Sequence, residues 1–284
     1  MTEGPDGMPT GAPPFLARLG RLGRVASTND IVRQWLADGI DEVAIAVANE
    51  QTAGRGREGR TWSAPPGSGL LLSAGFRPTY LPPERAWRLA ASVAMAMAEA
   101  AEETAGLRAG TIHLKWPNDL VIASDGADGA FEVRKLAGLL GETEGLGTDD
   151  PRAILGIGVN VDWPADAFPP ELAASMTSLR EIAGAPVDRE RLLTSFMGRL
   201  EGRVRTLHEG GFDAAGWADR QVTTGRLVRL EGAGERHELV RAAGVDTASG
   251  ALLVEALDPD GDGRPRPVLA GEITHLRLPS AAAV

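Results

Sequence analysis

Gly54-Arg55-Gly56-Arg57-Glu58-Gly59-Arg60-Thr61-Trp62 places three glycines and three arginines within nine residues. Glycine admits backbone conformations closed to other residues and leaves amide N–H groups free to face an anion. Arginine adds forked donors shaped for carboxylate and phosphate, and Trp62 offers a ring face for stacking. In a chain of net charge −10, this window stands out as an anion trap. It lacks the Lys-Ser/Thr ending of a P-loop and is not the dinucleotide-binding fingerprint. The alternative is an ordinary basic surface loop.

Three further segments surround it in the sequence. Lys115-Trp116-Pro117-Asn118-Asp119 breaks a strand-like run with proline, which turns Asn118 and Asp119 toward a site. A carboxylate beside an amide and a lysine suits Mg²⁺ and triphosphate oxygens, although Asn-Asp also serves as a plain turn. Lys135-Leu136-Ala137-Gly138-Leu139-Leu140-Gly141-Glu142 combines a cation with small residues that allow close packing. Gly156-Ile157-Gly158-Val159-Asn160 alternates glycine along a β run, a sign of close approach by a ligand or another backbone. Lys115 and Lys135 are the only lysines among 29 basic residues. An ammonium is a compact point charge, whereas a guanidinium is a broad planar fork. The two lysines read as functional positions; the alternative is codon bias with two chance survivors.

The hydrophobic pattern sketches the scaffold. Ser27 and Asp30 have capping-box spacing ahead of a helix that ends at Gly39, with Val25 as its apolar staple. Strands are predicted at 43–48 and 69–76 on either side of the glycine-rich loop 51–68, followed by a long helix at 83–105. Short strands follow at 112–116, 119–123, 133–143 and 153–161, with turns at Asp125-Gly126 and Asp128-Gly129. Helical periodicity returns at 170–182, 189–207 and 212–220. From 221 to 278 apolar and polar residues alternate, as in a small all-β module. The organisation is therefore a disordered tail at 1–24, an α+β catalytic domain at 25–220 with a mixed sheet, and a small C-terminal β-barrel domain at 221–284.

Composition limits the function. The acidic balance argues against broad binding to nucleic acid or anionic membrane. With no cysteine there is no disulfide, thiol nucleophile or thiolate metal site. Four scattered histidines have no metal-ligand spacing, and no apolar stretch is long enough to span a bilayer. The glycine- and proline-rich N-terminus lacks the apolar core of a signal peptide, so a soluble cytoplasmic protein is expected.

In this order, Gly54–Trp62, Lys115–Asp119, Lys135–Glu142 and Gly156–Asn160 resemble the biotin protein ligases. Ser27-Thr28-Asn29, Gln51 and Gly271-Glu272-Ile273-Thr274-His275-Leu276-Arg277 extend the match over nearly everything from Val25 to Leu278. The resemblance implies a mixed-sheet catalytic domain of the biotin/lipoate ligase type and an SH3-like barrel. It implies formation of biotinyl-5′-adenylate from biotin and ATP, then transfer to a lysine of a biotin carboxyl carrier domain. By that resemblance Ser27, Thr28, Asn29, Gln51, Arg55, Gly56, Arg57, Lys135, Gly138 and Leu140 contact biotin. Trp62, Lys115, Asn118, Asn160 and Arg277 contact the nucleotide, Asp119 holds Mg²⁺, and Lys135, Arg57 and Lys115 carry the chemistry. Only about 24 residues precede the first matched segment, so a DNA-binding role is not expected; the protein would act as a monomer or homodimer. The rival readings are a lipoate-type acyl-adenylate ligase, whose Arg-Arg-x-Ser-Gly-Gly-Gly loop is missing here, and a non-catalytic biotin or adenylate sensor. No general base for the acceptor lysine is evident, Asp119 being one candidate.

Overall fold

A computed structural model describes residues 15–125, 131–231, 237–257, 264–269 and 272–275. Seven strands form the main sheet: β1 (Arg18–Val25), β2 (Ala44–Gln51), β3 (Gly69–Phe76), β4 (His113–Lys115), β5 (Asp119–Asp125), β6 (Phe131–Glu144) and β7 (Arg152–Asn160). Their order is β1-β2-β3-β7-β6-β5-β4, with β1 parallel to β2 and the remaining pairs antiparallel. The helices are α1 (Thr28–Ala37), α2 (Trp87–Thr104), α3 (Leu179–Ala183), α4 (Arg189–His208) and α5 (Ala214–Asp219).

Period-two alternation decides what each face of this sheet does. Val43, Ile45 and Val47 of β2 and its flank, Leu70, Leu72 and Phe76 of β3, and Leu155, Ile157 and Val159 of β7 join the large core that also contains the buried faces of α2 and α4. The intervening residues face α1. Ala44, Ala46 and Ile154 pack there against Val32, Trp35 and Leu36. α1 is short, so it covers only part of that face. Gly138, Gly158 and Asn160 lie on the uncovered remainder, and Gly156 lies beneath the first turn of α1; all four line a cavity.

The C-terminal module is a five-stranded antiparallel sheet of β8 (Leu227–Glu231), β9 (His237–Val245), β10 (Leu252–Ala256), β11 (Arg266–Val268) and β12 (Glu272–His275), in the order β11-β10-β9-β8-β12. This is the strand content of a small barrel-like unit. Trp116 from the main sheet is buried in its core beside Val228, Val240 and Val254, and its Nε1 donates to the carbonyl of Gly250 at 3.2 Å. Leu114 and Gln221 form a parallel bridge at the junction.

Three local expectations are corrected. The first strand begins at Arg18, inside the segment read as tail: the repeat Arg-Leu-Gly-Arg-Leu-Gly hides its period-two pattern, yet Leu16 and Leu19 are buried. Ser27 occupies the N-cap position of α1 without a side-chain cap hydrogen bond, and Asp30 turns to Arg33 and Arg55 instead. Residues 170–182 are helical only from Leu179. Residues 170–175 form turns, and the chain at 175–177 then pairs with β6, Lys135 N donating to Ser175 O at 2.8 Å and Thr177 N to Lys135 O at 2.9 Å. Ser178 then caps α3 by accepting from Glu181 N. The turn expected at Asp125-Gly126 and Asp128-Gly129 falls largely outside the described residues. Among the described residues no helix is long and apolar enough to cross a membrane.

Candidate active site

The floor of the site is two adjacent strands. Gly138 of β6 pairs with Gly158 of β7, and the Trp62 indole lies directly on both. A Cβ on Gly158 would meet Trp62 Nε1 at 2.3 Å, and one on Gly138 would meet its Cζ3 at 3.2 Å. The glycines are therefore explained by close approach, as the alternation suggested. Here the approaching group is the protein's own tryptophan, whose buried Nε1 has no hydrogen-bond partner among the described residues. Gly156 is required by Asn29 in the same way, its Cβ position lying 2.3 Å from Asn29 Oδ1.

One wall is the start of α1. Gln51 Oε1 accepts from Thr28 N at 2.7 Å and from Thr28 Oγ1 at 3.0 Å. Ser73 Oγ lies 2.7 Å from Thr28 Oγ1 and 2.6 Å from Asn29 Oδ1, and Asn29 Nδ2 donates to Glu142 at 2.6 Å. Ser27, Thr28 and Asn29 are all buried, so these bonds set which polar atoms remain for a ligand. The Gln51 amide is held by its oxygen, which leaves its Nε2 as a donor. The Ser27 hydroxyl, excused from capping, lines the cavity.

The roof is the glycine-arginine segment folded as a hairpin. Arg55 bridges Thr61, Gly56 N donates to Arg60 O at 2.7 Å and Trp62 N to Gly54 O at 3.0 Å. Gly54 is indispensable to this turn, since a Cβ would sit 2.3 Å from the Trp62 carbonyl. Arg57 Nη1 reaches Asn118 Oδ1 at 3.3 Å. Asn118 is itself fixed by donating to Leu139 O at 2.8 Å.

The charged centre lies where β5 meets β6. The turn Trp116-Pro117-Asn118 joins β4 to β5 and pairs Lys115 with Asp119. A register shift in β6 opposite Leu120 and Val121 brings Lys135 Nζ to 2.7 Å from Asp119 Oδ1 and 5.5 Å from the Trp62 ring centre. Asn160 donates to the Thr177 carbonyl at 2.9 Å. The enclosed volume is about 590 Å³, of the size that holds a cofactor-sized ligand. A second cavity of about 950 Å³ shares Arg57, Lys115, Asn118 and Asp119 with it and extends between α2 and the small module.

All the residues given a biotin, nucleotide, metal or catalytic role from the sequence line the first cavity except Arg277, which lies outside the described residues. Sequence reasoning missed Ser73, Asp30 and the part played by Glu142. A lone serine in the apolar strand Gly69–Phe76 was the available signal for the first. It also missed Trp163, Leu172 and Met176, which close the cavity from beyond β7. Among the described residues no group of three or more histidine, aspartate or glutamate side chains could hold a metal by itself.

Comparison with known proteins identifies similar chains. Residues 22–160 match the biotin/lipoate A/B protein ligase family. The biotin–[acetyl-CoA-carboxylase] ligase of Mycobacterium tuberculosis is 31% identical over 258 residues, covering 90% of this chain and 88% of the relative. That of Paracoccus denitrificans is 31% identical over 243 residues, covering 82% and 92%. Among solved structures, a biotin protein ligase from Aquifex aeolicus in complex with biotin and ATP matches with a TM-score of 0.71 at 26% identity, over 92% of this chain and 99% of that one.

Proposed function

The chain belongs to the biotin/lipoate A/B protein ligase family, and from that premise we propose how its cavity performs the family's chemistry. The protein is an ATP-dependent ligase that activates biotin as biotinyl-5′-adenylate and transfers the acyl group to a carboxylase. The observation that carries the reading is the glycine-arginine hairpin folded over a glycine floor, with Lys135 and Asp119 at its edge.

The first step must bring a carboxylate against a triphosphate. Two unit charges about 4 Å apart repel by about 4 kcal/mol at the effective dielectric of a protein surface. Lys135 lies between the two anions and offsets that repulsion as the carboxylate oxygen attacks the α-phosphorus. Arg57 and Lys115 stabilise the charge that develops on the leaving pyrophosphate. Ser27, Thr28, Asn29 and Gln51 hold the polar end of biotin, and Gly138 and Leu140 pack against its rings. Trp62 leaves the floor or offers its outer face to the adenine, and Asn118 and Asn160 orient the nucleotide. Arg277 belongs to the same nucleotide set.

Asp119 is the carboxylate that would hold Mg²⁺. A single protein carboxylate suits this ion, which keeps most of its waters and takes the rest of its ligands from phosphates. When bound, the ion neutralises phosphate charge. In the second step the acceptor is a lysine of a biotin carboxyl carrier domain, which reaches the adenylate carbonyl as AMP departs.

The test is turnover with ATP, Mg²⁺ and an isolated carrier domain, offering biotin or lipoate. Biotin-dependent pyrophosphate release and a carrier mass increase of one biotinyl group are expected. Preference for lipoate, or binding without turnover, would overturn the reading.

A further inference from the structure

Arg55 directs its charge to α1. Its guanidinium is forked onto Asp30, Nη1 to Oδ2 at 3.0 Å and Nη2 to Oδ1 at 2.7 Å, and Nη2 lies 3.5 Å from Glu142 Oε1. Arg33 of α1 contacts the same two carboxylates, at 2.7 Å from Asp30 and 2.9 Å from Glu142, and also Glu144 at 3.0 Å. Glu142 in turn receives the Asn29 amide at 2.6 Å. One cluster therefore ties the roof hairpin, α1 and the cavity wall together.

We infer that Asp30 and Glu142 are positioning residues: through Arg55 they latch the hairpin over the cavity and so retain the acyl-adenylate. This rests on the function proposed above. Two features make the cluster a latch. Arg33 stays with both carboxylates when Arg55 lets go, so opening strands no like-charged pair. Arg55, Asp30 and Glu142 also keep 38%, 44% and 28% of their side-chain surface exposed, so water and salt screen the pairing. A weak, reversible closure is what a roof needs when substrate must enter and product must leave. Asp30 is held below the ordinary carboxylate range chiefly by its hydrogen bond from Arg55, so the latch keeps its charge at neutral pH.

The experiment uses the full chain and the variants D30N, E142Q and E144Q. Glu144 pairs with Arg33 at 3.0 Å and lies outside the pairing of Arg55 with Asp30 and Glu142, so E144Q is the control. Trypsin cleavage after Arg57 and Arg60 reports hairpin opening without reference to activity, and escape of biotinyl-adenylate is read by labelling of a bystander protein. D30N and E142Q should each speed cleavage and escape by about five- to tenfold, the scale of a partly exposed ion-pair network. The wild type should approach them at high ionic strength, and E144Q should behave as wild type. Cleavage and escape at wild-type rates in both D30N and E142Q would overturn the inference, as would equal salt response in all four proteins. If D30N loses thermal stability, E142Q decides. If the wild type makes no adenylate, the functional reading has failed, and the cleavage arm still decides the latch.

Discussion

Lys135 Nζ lies 2.7 Å from Asp119 Oδ1, and the same ammonium lies 3.0 Å from where a Cβ on Gly138 would be. The cation is thus held between a carboxylate and a bare strand, with the Trp62 ring on the third side. Replacing Lys135 by arginine keeps the charge and enlarges the head group where the floor leaves no room. A displacement of about an ångström can cost on the order of a hundredfold in rate. K135R should fold with near-normal thermal stability and lose at least about that factor in biotin- and ATP-dependent pyrophosphate exchange. Wild-type exchange would remove Lys135 from its assigned role.

Gly158 supports a second prediction. In G158A the new methyl group would fall 2.3 Å from Trp62 Nε1 and 2.4 Å from Cε2, so the indole must leave the floor. Trp62 belongs to a surface hairpin that can move, so the penalty should stay near the lower end of the roughly 1–3 kcal/mol typical of overpacking. Melting should therefore change little while the KM for biotin rises by about tenfold or more. Unchanged KM with a large stability loss would show that the floor serves packing alone.

Glu102 gives a pH dependence. It is 3% exposed, pairs with Arg220 at 2.9 and 3.0 Å and accepts from Ile112 N at 2.8 Å. Burial alone would raise its pKa, but the Arg220 guanidinium and the Ile112 N–H outweigh it and hold the carboxyl below its ordinary 4.5. The folded chain therefore binds this proton less readily than the unfolded chain. Its contribution is complete above about pH 4.5 and is lost as pH falls through the lower folded value. E102Q should cost about 2–3 kcal/mol at neutral pH, because it leaves the half-buried Arg220 without its counter-charge. Its melting temperature should also fall less steeply than the wild type's on acidification. Parallel curves would exclude Glu102 from the acid response.

The two lysines yield a fourth prediction. Both line the active-site cavity, so the chain presents its own reactive adenylate with almost no surface amine beyond the N-terminus. Incubated with biotin and ATP alone, the enzyme should remain largely unmodified by intact-mass analysis. Several biotinyl groups per chain would contradict this.

The lining of the cavity was legible residue by residue. The glycine-arginine window, the two lysines, Asp119 and the alternating glycines all announce themselves as residue types that packing alone does not favour. The strands at 69–76 and 153–161 were equally plain, because burial on both faces writes a continuous apolar run. Local signals failed wherever a distant partner decided the outcome. Strand β1 exists because β2 offers it a parallel edge, which no feature of Arg-Leu-Gly-Arg-Leu-Gly declares. Residues 175–177 leave the helical pattern because the Lys135 backbone pairs with them across about 40 positions of sequence. Asp30 abandons capping because Arg55, 25 residues away, offers it two hydrogen bonds. Side-chain type and spacing are carried by the string itself. Which cation meets which carboxylate, and which ring covers which glycine, depends on strand order and register, and those are set only when the sheet buries its two faces.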